Sequence, residues 1–166
     1  MKGPAWLVEK AFDLNDWFVL GCLVLAYTVM CFMPKRFPMS TTLLLILFSA
    51  AVASILDNSA GGHVFDLYDI MDGPAYTLMD FIVYFLYAPF AYYFIYFYDR
   101  WQIKRFGTVG YIILFSAISV AFELLCAKAG VFHYKNGYRV QYSFCIYLFV
   151  QSATIWFYQY ISKRAS

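Results

Sequence analysis

An all-α fold, a polytopic integral membrane bundle of about five transmembrane helices, is what this sequence predicts. Three observations carry that prediction. The 166 residues are 63% hydrophobic and only 13% charged, where a soluble domain carries about 25% charged residues. Five apolar stretches each approach the ~20 residues that a helix needs to cross the hydrocarbon core. None of the five alternates polar and apolar residues in the manner of a barrel strand. The length suits a single transmembrane domain over residues 1–166 and leaves no room beside the spans for a soluble catalytic module.

Residues 1–15 read as an interfacial segment. Trp6, Leu7, Phe12 and Leu14 suit the membrane surface, with Trp6 and Trp17 at headgroup level. No basic stretch followed by a small-residue cleavage site precedes the first span, so removal of a signal peptide is not expected. The first span runs over about 16–33, capped by Asn15 or Asp16 and stopped by Pro34 and Pro38. The second covers about 40–59, from Ser40-Thr41-Thr42 to Gly61-Gly62. An acidic outer loop follows over 60–75. The third span covers about 76–98, with Pro74 just before it. The fourth covers about 107–127 and ends before Gly130. The fifth covers about 140–161.

The third span is about half aromatic. Its Pro89 removes the helical bond to the carbonyl of Phe85 and predicts a kink. Two readings of the aromatic run stand: packing between helices, or a groove for a lipid, an isoprenoid tail or a partner helix. Small residues in the second span (Ser49, Ala50, Ala51, Ala53, Ser54) and the fourth (Ser116, Ala117, Ser119, Ala121) predict close helix approach.

Lys and Arg set the orientation. Lys35, Arg36, Arg100, Lys104, Arg105, Lys163 and Arg164 share one side. Lys2, Lys10, Lys128, Lys135 and Arg139 share the other, whose 58–75 loop has no basic residue. The bias predicts a multi-pass inner-membrane protein with its N-terminus outside and its C-terminus in the cytoplasm.

Three carboxylates lie inside apolar stretches: Asp57, Asp80 and Glu123. The topology brings all three to the outer end, roughly 5–8 Å below the interface at 1.5 Å per residue. Ionisable groups at such depth are costly and mark functional or paired positions. One reading is structural, with the acids paired to Lys128, His133 and Arg139 of the other outer loop or to the many tyrosines. The other is a proton or cation site. The outer loop adds His63, Asp66, Asp69 and Asp72. The three-residue spacing of the aspartates differs from a calcium loop. It reads either as a cation-attracting surface or as a solvated loop with a short amphipathic helix. In that helix Val64, Phe65, Leu67, Ile70 and Met71 would face lipid or protein.

The four cysteines, Cys22, Cys31, Cys126 and Cys145, have no CxxC spacing and read as small buried hydrophobes. No nucleophile–base pair, HExxH, P-loop or glycine-rich dinucleotide turn is found. The sequence therefore favours a non-enzymatic role over a third reading, a membrane enzyme acting on lipid or isoprenoid. It suggests no cofactor, and a net charge of +2 gives no case for nucleic acid.

Met79-Asp80-Phe81-Ile82-Val83-Tyr84 with Pro89 downstream, the run from Tyr111 to Ala121-Phe122-Glu123-Leu124-Leu125, the Tyr134–Tyr138 turn and Phe157-Tyr158-Gln159-Tyr160 form a pattern. This pattern resembles a family of short, functionally uncharacterised polytopic membrane proteins of spore-forming Bacilli and Clostridia. Asp80-Phe81 and Phe122-Glu123 match the acid–aromatic and Phe–Glu pairs of that family, with Asp80 replacing a more usual Glu. The first third and the Asp66–Asp72 loop depart from the pattern. The resemblance implies a Gram-positive inner-membrane protein and supplies no activity. The expectation is a non-enzymatic accessory or assembly subunit in contact with membrane lipids and with another membrane protein or its own copies. The alternative is a small proton- or cation-coupled transporter or oligomeric channel that uses the outer carboxylates.

Overall fold

The computed structural model describes residues 12–61, 65–71 and 77–165. Five helices and one two-stranded sheet follow in the order α1 (Leu14–Phe32), α2 (Met39–Ala60), β1 (Tyr68–Ile70), α3 (Leu78–Arg100), α4 (Phe106–Lys128), β2 (Phe132–Tyr134) and α5 (Val140–Ala165). The all-α bundle is as the sequence predicts. Helices α1 to α4 are each long and apolar enough to cross a membrane, which is the build of a membrane protein. α5 has the length, at 26 residues. Its tyrosines and its glutamines Gln141, Gln151 and Gln159 make it less apolar than the others. It still runs the height of the bundle. Ser143, near its start, bonds Glu123 of α4, and Tyr158, near its end, bonds Asp99 of α3.

α3 is the central helix. It is 61% buried over its most apolar window, against 17%, 11% and 22% for α1, α2 and α4. One end of α3 packs Met79, Val83 and Leu86 with Val19 of α1, Cys126 of α4 and the loop residues Met71 and Val131. The other end packs Phe94 and Ile95 with Leu45 of α2, Tyr111 of α4 and Ile155 of α5. The large apolar side chains left exposed, among them Leu25, Leu47, Ile55, Ile113 and Leu125, lie on the helices whose outer faces meet lipid.

Local chemistry fixes the ends of the helices. α1 starts at Asp13 rather than at Asn15 or Asp16. Asp13 accepts from the Asn15 amide at 3.1 Å, and Asp16 reaches back to the Asp13 amide at 3.0 Å. This reciprocal capping box satisfies two helix-end donors at once. Asn15 instead donates to the Gly130 carbonyl, tying α1 to the loop after α4. Pro34 then stops the helix, because the residue before a proline is driven out of the α region.

Pro89 sits inside α3. The carbonyl of Phe85, which has no amide at position 89 to accept from, takes a bond from the Tyr27 hydroxyl of α1 at 3.1 Å. Tyr93 of α3 in turn donates to the Ala26 carbonyl of α1. The two helices thus exchange phenols. Tyr27→Phe leaves the Phe85 carbonyl without a donor and is expected to cost on the order of 1 kcal/mol. A melting temperature in detergent unchanged from wild type would show that the carbonyl finds another donor.

Two expectations are corrected. Among the described residues of the 60–75 segment, Tyr68–Ile70 form strand β1 in place of the expected short amphipathic helix. Positive φ angles at Asp66 (45°) and Met71 (53°) break any helix there, and β2 supplies main-chain partners. Tyr68 and Met71 of this segment point into the core, while Phe65 is exposed. Val64 lies outside the described residues. Of the cysteines, Cys126 is buried and Cys22 half-buried, but Cys31 and Cys145 are exposed on the outer helix faces; all four thiols are free. At the end opposite the sheet, Arg36 pairs with Asp99, which also accepts from Tyr158 at 3.0 Å.

Candidate functional site

Three helices carry polar residues at helical spacing. α2 has Ser49 and Asp57. α4 has Ser116, Ser119 and Glu123. α5 has Ser143, Tyr147, Gln151 and Thr154. Steps of three and four residues place each set on one face. These faces meet α3 and the small sheet around a cavity of about 160 Å³. Its polar lining includes Asp57, Glu123, Tyr68, Tyr134, Tyr138 and Ser143, and its apolar lining includes Phe90, Phe122, Leu56 and Ile146.

Glu123 is 7% exposed and meets three hydroxyls. Oε1 accepts from Tyr134 at 2.7 Å and from Ser143 at 2.6 Å, and Oε2 accepts from Tyr147 at 2.8 Å. Ser143 also contacts the Tyr138 hydroxyl at 2.9 Å. Asp57 is less complete. Its Oδ1 accepts from Tyr68 at 2.7 Å, while its Oδ2 is buried with no hydrogen-bond partner. A buried polar oxygen without a donor costs about 1–3 kcal/mol.

The phenols outside the spans remain donors. Burial first, and then the charge of Asp57 beside it, pushes the Tyr68 hydroxyl far above the usual tyrosine range. Burial, then the bond to Glu123, does the same for Tyr134. Burial, followed by Glu123 and Asp57, raises Tyr138. A raised phenol stays protonated at higher pH, so these groups donate throughout the physiological range.

Asp57 and Glu123, two of the three predicted intramembrane acids, share this cavity. Asp80 does not line it. Its carboxylate accepts from the Thr77 amide at 2.6 Å and the Thr77 hydroxyl at 2.8 Å. That is the capping box of α3, so Asp80 serves the helix end.

The predicted ion pairs are also corrected. Among the described residues, Lys128, His133 and Arg139 make no ion pair with Asp57 or Glu123; hydroxyls take that place. Lys128 sits in the last turn of α4, where a cation favours the helix dipole. His133 is exposed on β2, opposite Asp69 in the register. The Arg139 carbonyl accepts from the Tyr142 amide at 2.8 Å.

At the sheet end of the bundle, Lys135 pairs at 2.5 Å from Asp69 and 3.6 Å from Asp66. The bond to Asp69 raises the Lys135 pKa, so it remains charged. The loop after β2 therefore supplies the counter-cation of the acidic loop. His63 and Asp72, also named as cation-attracting, lie outside the described residues.

The sheet covers the cavity. β1 and β2 pair antiparallel with Tyr68 opposite Tyr134, so the two phenols that reach the two acids stand side by side. Comparison with family models, with curated proteins and with solved structures found no match to this chain.

Proposed function

We propose that this is a multi-pass membrane protein that binds a small cation in the cavity between α2, α3, α4 and α5, as a transporter or ligand-gated membrane component does. One observation carries the reading. Among the described residues the cavity has two carboxylates in its lining and no Lys, Arg or His. Two acids facing one small space in a low-dielectric surrounding favour a cation there over any neutral or anionic guest. The accessory-subunit reading rests on the exposed apolar faces of α1, α2 and α4, which lipid covers equally well.

The test is thermal unfolding of the purified protein in lipid nanodiscs with sodium, potassium, calcium or organic ammonium salts at matched ionic strength. At least one cation should raise the melting temperature, and the double variant Asp57→Asn/Glu123→Gln should lose the rise. No shift from any cation would sink the reading.

A further inference from the structure

Leu47-Phe48-Ser49-Ala50 in α2 recurs as Leu114-Phe115-Ser116-Ala117 in α4. Each helix then carries one acid near its end, Asp57 and Glu123. Each acid accepts from a tyrosine eleven residues later, and both bonds are 2.7 Å long. Each tyrosine lies on a three-residue strand that leads into the next long helix. α2 packs on α3 as α4 packs on α5. Tyr68 pairs with Tyr134 across the antiparallel sheet, so a local two-fold axis passes between them. α2–β1–α3 and α4–β2–α5 thus share one helix–strand–helix order with equal acid-to-tyrosine spacing, the Leu-Phe-Ser-Ala runs being offset by one residue. Binding sites at the interface of internal repeats recur among membrane transporters.

The two units differ where it matters for a ligand. Glu123 is completed by its own unit, through Ser143 and Tyr147 of α5. Asp57 receives Tyr68 only, and its second oxygen is buried without a donor. We propose that Asp57 is the ligand-receiving half of this two-acid site and that its ligand is a primary organic ammonium with a short apolar body. This rests on the reading of the cavity as a cation site.

The chemistry points to that class in three ways. The oxygen of Asp57 lacks an N–H or O–H donor, which a primary ammonium has and a quaternary one does not. Phe90 and Phe122, with ring centroids 4.8 Å apart, line the same cavity. They offer an apolar wall that a metal ion leaves unfilled and that an alkyl or aryl group covers. A cavity of about 150 Å³ holds a molecule of benzene size, so the body is about that large.

The experiment compares n-butylammonium and benzylammonium with tetramethylammonium, n-butanol, sodium and calcium, on the full chain in lipid nanodiscs. The primary ammonium ions should raise the melting temperature by on the order of 5 °C near saturation. Tetramethylammonium and n-butanol should not, and Asp57→Asn should lose the rise. The comparison among ligands on the wild type stands even if the variant fails to fold. A shift from sodium or calcium but not from the primary ammonium ions overturns the ligand class and leaves the cation site. A primary-ammonium shift that survives Asp57→Asn and vanishes in Glu123→Gln overturns the assignment to Asp57. No shift from any of them overturns both the inference and the reading beneath it.

Discussion

Glu123→Ala is expected to lower the unfolding free energy in mild detergent by about 3 kcal/mol, because it strips the acceptor from three hydroxyls at once. Tyr134, Ser143 and Tyr147 all donate to this one carboxylate. Ser143 keeps a contact with Tyr138, which holds the loss below a simple sum. Glu123→Gln should cost far less, about 1 kcal/mol. Its amide oxygen can still accept from Tyr134 and Ser143, while the Tyr147 hydroxyl can turn to accept from the amide nitrogen. The contrast between the two variants is the informative quantity, read as the difference in melting temperature. Equal losses in both would mean that the negative charge itself, rather than its acceptor oxygens, holds the cluster together.

Gly61→Ala should cost about 1–3 kcal/mol, and the damage should be local to the cavity. A methyl group built on Gly61 would stand 2.8 Å from the Tyr68 carbonyl oxygen and 3.1 Å from that of Asp57. Both neighbours are backbone, so neither can swing aside. β1 must lift, and the Tyr68–Asp57 bond must lengthen or break. Faster amide hydrogen exchange across residues 67–71, with the exchange of α3 unchanged, is the expected signature. Uniform exchange across the whole chain, equal to wild type, would contradict the close approach.

The class of the fold was legible because it depends on long apolar runs, and those survive without any knowledge of packing. The capping box of α3 was legible too, in Thr77-x-x-Asp80, yet Asp80 read as an intramembrane acid because its depth was judged from hydropathy alone. Basic residues and the many tyrosines were both candidate partners for Asp57 and Glu123, and nothing in the sequence chooses between them. The structure uses phenols and a serine, which no hydropathy pattern flags. The stripe Ser143, Tyr147, Gln151 and Thr154 on α5 did carry the signal, since four polar residues on one helix face inside a membrane need company. The recurrence of Leu-Phe-Ser-Ala, with an acid and a tyrosine behind each copy, was also readable in the sequence. The strand pairing was not, because three-residue strands separated by more than sixty residues leave no periodicity to detect.

That separation bears on how the chain is made. β1 leaves the ribosome well before β2, so its edge stays unpaired through the synthesis of all of α4. An open strand edge is a template for wrong pairing. Closure of the sheet therefore waits until both helix–strand segments have been made. A chain halted after α3 presents a bare strand edge, and the arrival of β2, with Tyr134 opposite Tyr68, closes it.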